Sequence, residues 1–140
     1  INTFGGHPVA TAVGLRNLQI LEEENLVENA RRQGEYLRAQ LTERLGDHPY
    51  VGEIRGKGLL NAVELVNDRE TREPLADAKV AAITAHSLQQ SGVLIGRNSN
   101  TVPGRCNVLV TAPPLIATEE EIDRLADAMT NALQNSLNNR

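Results

Sequence analysis

The run Asn2-Thr3-Phe4-Gly5-Gly6-His7-Pro8 carries the residue types of an anion site. Two adjacent glycines let the backbone approach a ligand closely, and the Thr3 hydroxyl can donate to an oxyanion. The helix that Pro8 opens offers unpaired N–H groups at its positive end. Phosphate is the anion such a loop suits; an ordinary turn and helix start is the structural alternative. His7 has the chemistry of a general base, although a histidine at a helix start more commonly caps or packs.

Three arginines stand where a carboxylate could be met. Arg55, in Ile54-Arg55-Gly56-Lys57-Gly58, lies among strand residues and glycines, and an ion pair to a neighbouring element is its simpler role. Arg97 and Arg105 lie on a polar loop that follows an apolar run. A loop arginine held on a rigid scaffold can present its planar fork to a substrate carboxylate. Spacing does not choose between that role and solvent exposure. His48 and His86 stand alone and read as structural, and Glu119-Glu120-Glu121 complements the dipole at a helix start. The chain has no GxSxG elbow, phosphate-binding GxxxxGK[ST] loop or HExxH pair, and no Cys/His cluster with zinc spacing, so no metal site is expected.

The elements that must position these groups follow from periodicity. Pro8 to Glu24 reads as a helix, with Ala10, Val13, Leu18 and Leu21 at helical steps and Asn25 as a break. Leu26, Ala30, Leu37, Leu41 and Leu45 make the apolar stripe of a long second helix, which Gly46 should close in the left-handed conformation. Tyr50 to Val66 reads as two strands around Gly56-Lys57-Gly58, and Asn67 to Pro74 as a loop. A third helix runs from Ala76 to Gly92 through Val80, Ile83, Ser87 and Leu88. Val93 to Ile95 is expected as a strand, Gly96 to Asn107 as a loop, and Val108 to Val110 as a strand stopped by Pro113-Pro114. Thr118 and Glu121 form a capping box for a final helix through Ile122, Leu125, Met129, Leu133 and Leu137. This order argues for an α/β sandwich, with helices covering one face of a mixed sheet of about four strands. The first helix stands apart, so residues 1–24 are expected as a loop and connector and residues 25–140 as the domain proper.

Composition narrows the classes of function. A net charge of -4 with interspersed signs provides no basic stripe, and only Phe4, Tyr36 and Tyr50 are aromatic, so nucleic acid is not an expected partner. No eighteen-residue apolar run is present and the N-terminus lacks a signal pattern, so no membrane is expected. The single cysteine, Cys106, suits a reducing cytoplasm. The chain opens at Ile1 and its one methionine is Met129, from which a piece of a longer protein is expected.

Four blocks, in order, resemble the class III aminotransferases. Thr3 to Ala10 resembles that family's TYSGHPVA block. Val51 to Leu59, with Glu64-Leu65-Val66, is similar to its VGDVRGxGL and ELV. Gly92 to Ile95 is similar to its late strand, and Ala112 to Ile122 to its APPLIxTEEEI ending. The resemblance implies the C-terminal small domain of a fold type I enzyme dependent on pyridoxal 5'-phosphate. It implies that Thr3, with Phe4 beside it, contacts the cofactor's phosphate across a homodimer interface. The family's covalent lysine and the aspartate that pairs the pyridine nitrogen both lie before the point where this chain starts. Neither Lys57 nor Lys79 matches that lysine, so no catalytic residue is assigned here and the 140 residues alone are expected to be inactive.

The resemblance also bears on substrates. Members that use 2-oxoglutarate or glutamate carry an arginine where this chain has Val110. Members that use pyruvate place a mobile arginine just after the late strand, where Arg97 stands in Leu94-Ile95-Gly96-Arg97. Arg97 is therefore the candidate carboxylate clamp and Arg105 its rival. The implied reaction is ping-pong transfer of an amino group from an ω-amino acid or amine to pyruvate or another keto acid. A racemase or aminomutase of the same fold, or a stand-alone dimerisation or ligand-binding module, are the alternatives.

Overall fold

A computed structural model describes residues 5–98 and 102–137. The expected stripe of the second helix is seen in α2 (Leu26–Leu45), where Leu26, Leu37, Leu41 and Leu45 are buried. Two further positions complete its inner face, and neither is an aliphatic side chain: Gln33 and Gly34 are both buried. Gly34 meets the turn between β1 (Val51–Lys57) and β2 (Leu60–Leu65), and a methyl group on it would overlap the Gly58 carbonyl.

That turn is a two-residue hairpin, with Lys57 paired to Leu60 and Gly58 at φ +54, a conformation that glycine adopts without strain. The Gly58 carbonyl accepts from Asn61 Nδ2 at 3.0 Å and from Arg38 Nη1 at 3.3 Å, and Arg38 also donates to Asn61 Oδ1 at 3.2 Å. Asn61 is 1% exposed, so its amide must find these partners inside the protein.

The sheet runs β1-β2-β4-β3, with β3 at Gly96–Arg97 and β4 at Val108–Thr111. The expectation of a mixed sheet is corrected in one respect, since every neighbouring pair is antiparallel. The strand-helix-strand order through α3 (Asp77–Ser91) does leave β2 and β3 running the same way, but β4 is inserted between them. It is a split crossover.

The third strand is also displaced from Val93–Ile95 to Gly96–Arg97. Its ladder pairs Gly96 with Val110 and Arg97 with Leu109, and the same register would carry Val93 onto Pro113, which has no N–H to donate. Val93 to Ile95 lies outside the ladder. Ser87 instead donates to the Val93 carbonyl at 2.9 Å, Ile95 is buried and Leu94 stands 77% exposed.

Helices α2, α3 and α4 (Glu119–Leu137) cover one face of the sheet. Val63, Leu65 and Leu109 from the strands meet Leu41, Ile83, Ile122, Met129 and Leu133 in one aliphatic core. The capping box of α4 forms as expected, with Thr118 N donating to Glu121 Oε2 at 2.9 Å and Glu121 N to Thr118 Oγ1 at 3.4 Å. Gly92 closes α3 in the left-handed region at φ +64, whereas Gly46 remains right-handed at φ -58 and simply extends α2 by a bond to Thr42. Leu88, on the expected stripe of α3, is 49% exposed. By contrast α1 (Pro8–Glu23) has no buried residue, and Val9, Val13, Leu15 and Leu18 are more than half exposed. No described helix is long and apolar enough to cross a membrane.

Two outcomes are expected. Gly34→Ala forces α2 off the hairpin and costs about 3 kcal/mol, the upper end for overpacking, because the obstacle is backbone; urea unfolding of the protein with and without the change measures it. Burial pushes the His48 imidazole below its ordinary value of 6.5, and its Nδ1 accepts from the Tyr50 N–H at 3.3 Å. The unfolded chain therefore binds the proton more tightly, so His48 has no effect on stability well above pH 6.5 and lowers it as the pH falls below that value. Unfolding curves between pH 7.5 and pH 5, the range spanning an ordinary histidine titration, should be flatter in His48→Gln.

Candidate functional site

Thr3 and Phe4 lie outside the described residues. The adjoining residues suit an anion: Gly6 adopts φ +81 with open space where a side chain would be, and Pro8 takes the first position of α1. His7 makes no side-chain cap, and its carbonyl accepts from Thr11 N at 3.0 Å and Thr11 Oγ1 at 3.1 Å. Among the described residues, none buries the first turn of α1, whose leading N–H groups have no partner one turn earlier in the helix. These residues fit the approach of a phosphate group.

Arg97 and Arg105 are brought to the same loop neck by Asn98, a residue that periodicity and spacing do not single out. Asn98 N donates to the Val108 carbonyl at 3.0 Å, its Oδ1 accepts from Val108 N at 2.8 Å, and its Nδ2 donates to the Arg105 carbonyl at 2.6 Å. The side chain imitates one more ladder residue and ties both ends of the loop. An asparagine directly after the last strand residue is the available signal, since its amide commonly closes turns on the backbone. Arg105 is exposed and its N–H bonds to the Val102 carbonyl at 3.1 Å. Arg97 Nη1 is ion-paired with Asp77 Oδ1, in the first turn of α3.

Arg55 is not part of that grouping. It donates to Glu53 at 2.9 Å and to Glu64 at 3.0 Å, and Arg72 joins the same two carboxylates at 3.8 and 3.5 Å. Two arginines and two glutamates satisfy one another on the uncovered face of β1 and β2, which agrees with the simpler, structural role. Val110 lies on that same face, in register between Ala62 and Gly96. With Lys57, Leu60 and Ala62 it lines an open concavity of about 330 Å³. His86 is half-buried on α3 and belongs to neither group. Among the described residues no cluster of His, Cys, Asp or Glu could hold a metal ion.

A second hollow, of about 680 Å³, lies where the start of α2 faces residues 116–119. Asn29 Nδ2 spans its floor to the Leu115 and Ala117 carbonyls at 2.7 and 3.1 Å. Gln33 lines it as well, and its Oε1 is buried without a hydrogen-bond partner among the described residues. An acceptor in that condition costs about 1–3 kcal/mol.

Residues 1–133 match the model of the family described as aminotransferase class-III. A taurine–pyruvate aminotransferase of Rhodobacter capsulatus is 46% identical over 134 residues, which is 96% of this chain and 29% of that protein. Among solved structures, a Bacillus anthracis aminotransferase superposes with a TM-score of 0.92 at 47% identity, covering 96% of this chain and 30% of that one. An omega transaminase from Pseudomonas jessenii, solved in complex with PMP, superposes with a TM-score of 0.84 at 38% identity over 99% of this chain and 29% of its own. The chain therefore spans under a third of the length of the proteins it matches.

Proposed function

This chain belongs to the class III aminotransferases, and from that premise we propose that it forms the C-terminal part of a pyridoxal-phosphate enzyme that moves an amino group from an ω-amino acid or amine to pyruvate. The observation that carries the choice of pyruvate is Val110. Where relatives that take 2-oxoglutarate are expected to hold an arginine, this chain sets an aliphatic residue between Ala62 and Gly96 on the uncovered sheet face. The identity to a taurine–pyruvate aminotransferase supports the same acceptor.

The division of labour follows from packing. Residues 25–137 enclose a core of their own, whereas α1 exposes four large aliphatic residues and buries none. We assign residues 1–24 as the loop and connector that pack on the rest of the enzyme and residues 25–140 as its small domain. The unpaired Gln33 acceptor, beside a hollow open to a further segment, supports this reading over that of an independent module. A cytoplasmic homodimer is the assembly in which the Thr3 loop of one subunit reaches the cofactor of the other.

When bound, pyridoxal phosphate supplies the electron sink for amino-group transfer. Around it, Thr3 would donate its hydroxyl to the phosphate, Gly5-Gly6 would admit close approach, and the first turn of α1 would direct its partial positive charge there. Arg97 presents its guanidinium fork to the carboxylate of the acceptor, fixing one end of the molecule while leaving the keto carbon free to react. Lys57 and Lys79 have no part in the covalent chemistry; that lysine belongs to the remainder of the enzyme.

Steady-state assays of the full-length enzyme should find turnover of an amine or ω-amino acid with pyruvate; racemisation of a single amino acid with no acceptor requirement would overturn the proposal. Arg97→Gln is expected to raise the KM for pyruvate by about ten-fold or more, the loss of one charge-assisted pairing. Thr3→Ala should raise the dissociation constant of the cofactor by about ten-fold, read by absorbance titration of the apoenzyme.

A further inference from the structure

We infer that Asp77 is the competing counter-ion of Arg97, a positioning residue that sets how readily the enzyme accepts a carboxylate. The inference rests on the proposed role of Arg97. In an antiparallel pair, residues directly opposite point to the same side of the sheet. Arg97 is opposite the fully buried Leu109, so its side chain leaves the sheet on the helix-covered side, at the edge, where the first turn of α3 presents Asp77.

The contact is made for exchange. One guanidinium nitrogen, Nη1, meets one carboxylate oxygen, Oδ1, so most of the five N–H donors of Arg97 are not committed to Asp77. The side chains are 33% and 61% exposed, and pairs in that condition are weak. A substrate carboxylate that engages the fork with both oxygens makes the stronger pairing. Asp77 is not stranded when Arg97 leaves it. It sits in the first turn of a helix that has no side-chain cap, where unpaired N–H groups favour a negative charge.

The pairing has two effects on substrate choice. While paired, the two side chains are together neutral and attract an incoming anion less than Arg97 alone would. Substrates without a carboxylate do not have to displace Asp77, so the pair lowers the enzyme's preference for carboxylates over plain amines and aldehydes.

The test uses the full-length holoenzyme. Asp77→Asn keeps the shape and an acceptor oxygen but removes the charge. It should lower the KM for pyruvate by about two- to five-fold, leave kcat unchanged, and leave the KM for an aldehyde acceptor lacking a carboxylate unchanged. The dissociation constant of propanoate, a dead-end carboxylate, should fall by the same factor in calorimetry, Asp77→Glu should restore the original values, and the change should vanish on an Arg97→Gln background. If Arg97→Gln raises the pyruvate KM while Asp77→Asn leaves it unchanged or raises it, the inference is overturned and the role of Arg97 stands. If Arg97→Gln has no effect on that KM, the role of Arg97 is overturned and the inference falls with it.

Discussion

The seating of α2 on the β1–β2 turn is the constraint on which the other placements depend. A helix approaches a hairpin backbone this closely only where it has no side chain, and Gly34 provides that gap opposite Gly58. Arg38 and Asn61 then hold the Gly58 carbonyl from two sides, so the approach is directional and not merely a packing of apolar surfaces. With the hairpin held, Val63 and Leu65 enter the same core as Leu37 and Leu41, and β2 offers its other edge to β4 at a defined register. Everything toward the candidate clamp is built outward from that edge.

At the far side of the sheet the ladder is short. β3 is confined to the two residues opposite Leu109 and Val110, and the same register would carry Val93 onto Pro113, which has no N–H to donate. Confinement has a chemical result. Arg97 becomes the last paired residue of an edge strand, Asn98 closes the loop behind it, and the guanidinium is delivered to Asp77 at the start of α3. A strand three residues earlier would have placed Leu94 and Ile95 at this edge and left Arg97 adrift on the loop.

The two candidate binding features have different characters. The anion loop is borne by α1, which packs little of itself and leaves its aliphatic side chains uncovered. The clamp belongs to the self-contained domain, held by backbone ladders and the Asn98 side chain. In the proposed function, the phosphate contact would lie beside an element that buries none of its side chains, and the carboxylate contact on a strand packed within the domain's own sheet.

From the sequence alone it was possible to read the helices, the hairpin, the capping box and the family, because each is written in local periodicity or in a string of adjacent residues. Leu26, Leu37, Leu41 and Leu45 announce α2 by spacing, and Thr118 with Glu121 announces α4. Gly34 and Gln33 fall within the same stripe yet gave no such sign, since a glycine or an amide on a helix has no local pattern that says it is buried. The antiparallel insertion of β4 between β2 and β3, the shift of β3 to Gly96–Arg97, and the pairing of Arg97 with Asp77 twenty positions away were decided only by the tertiary structure. Strand order and register are settled by which backbone groups can find partners once the chain is packed, and local sequence does not encode that competition.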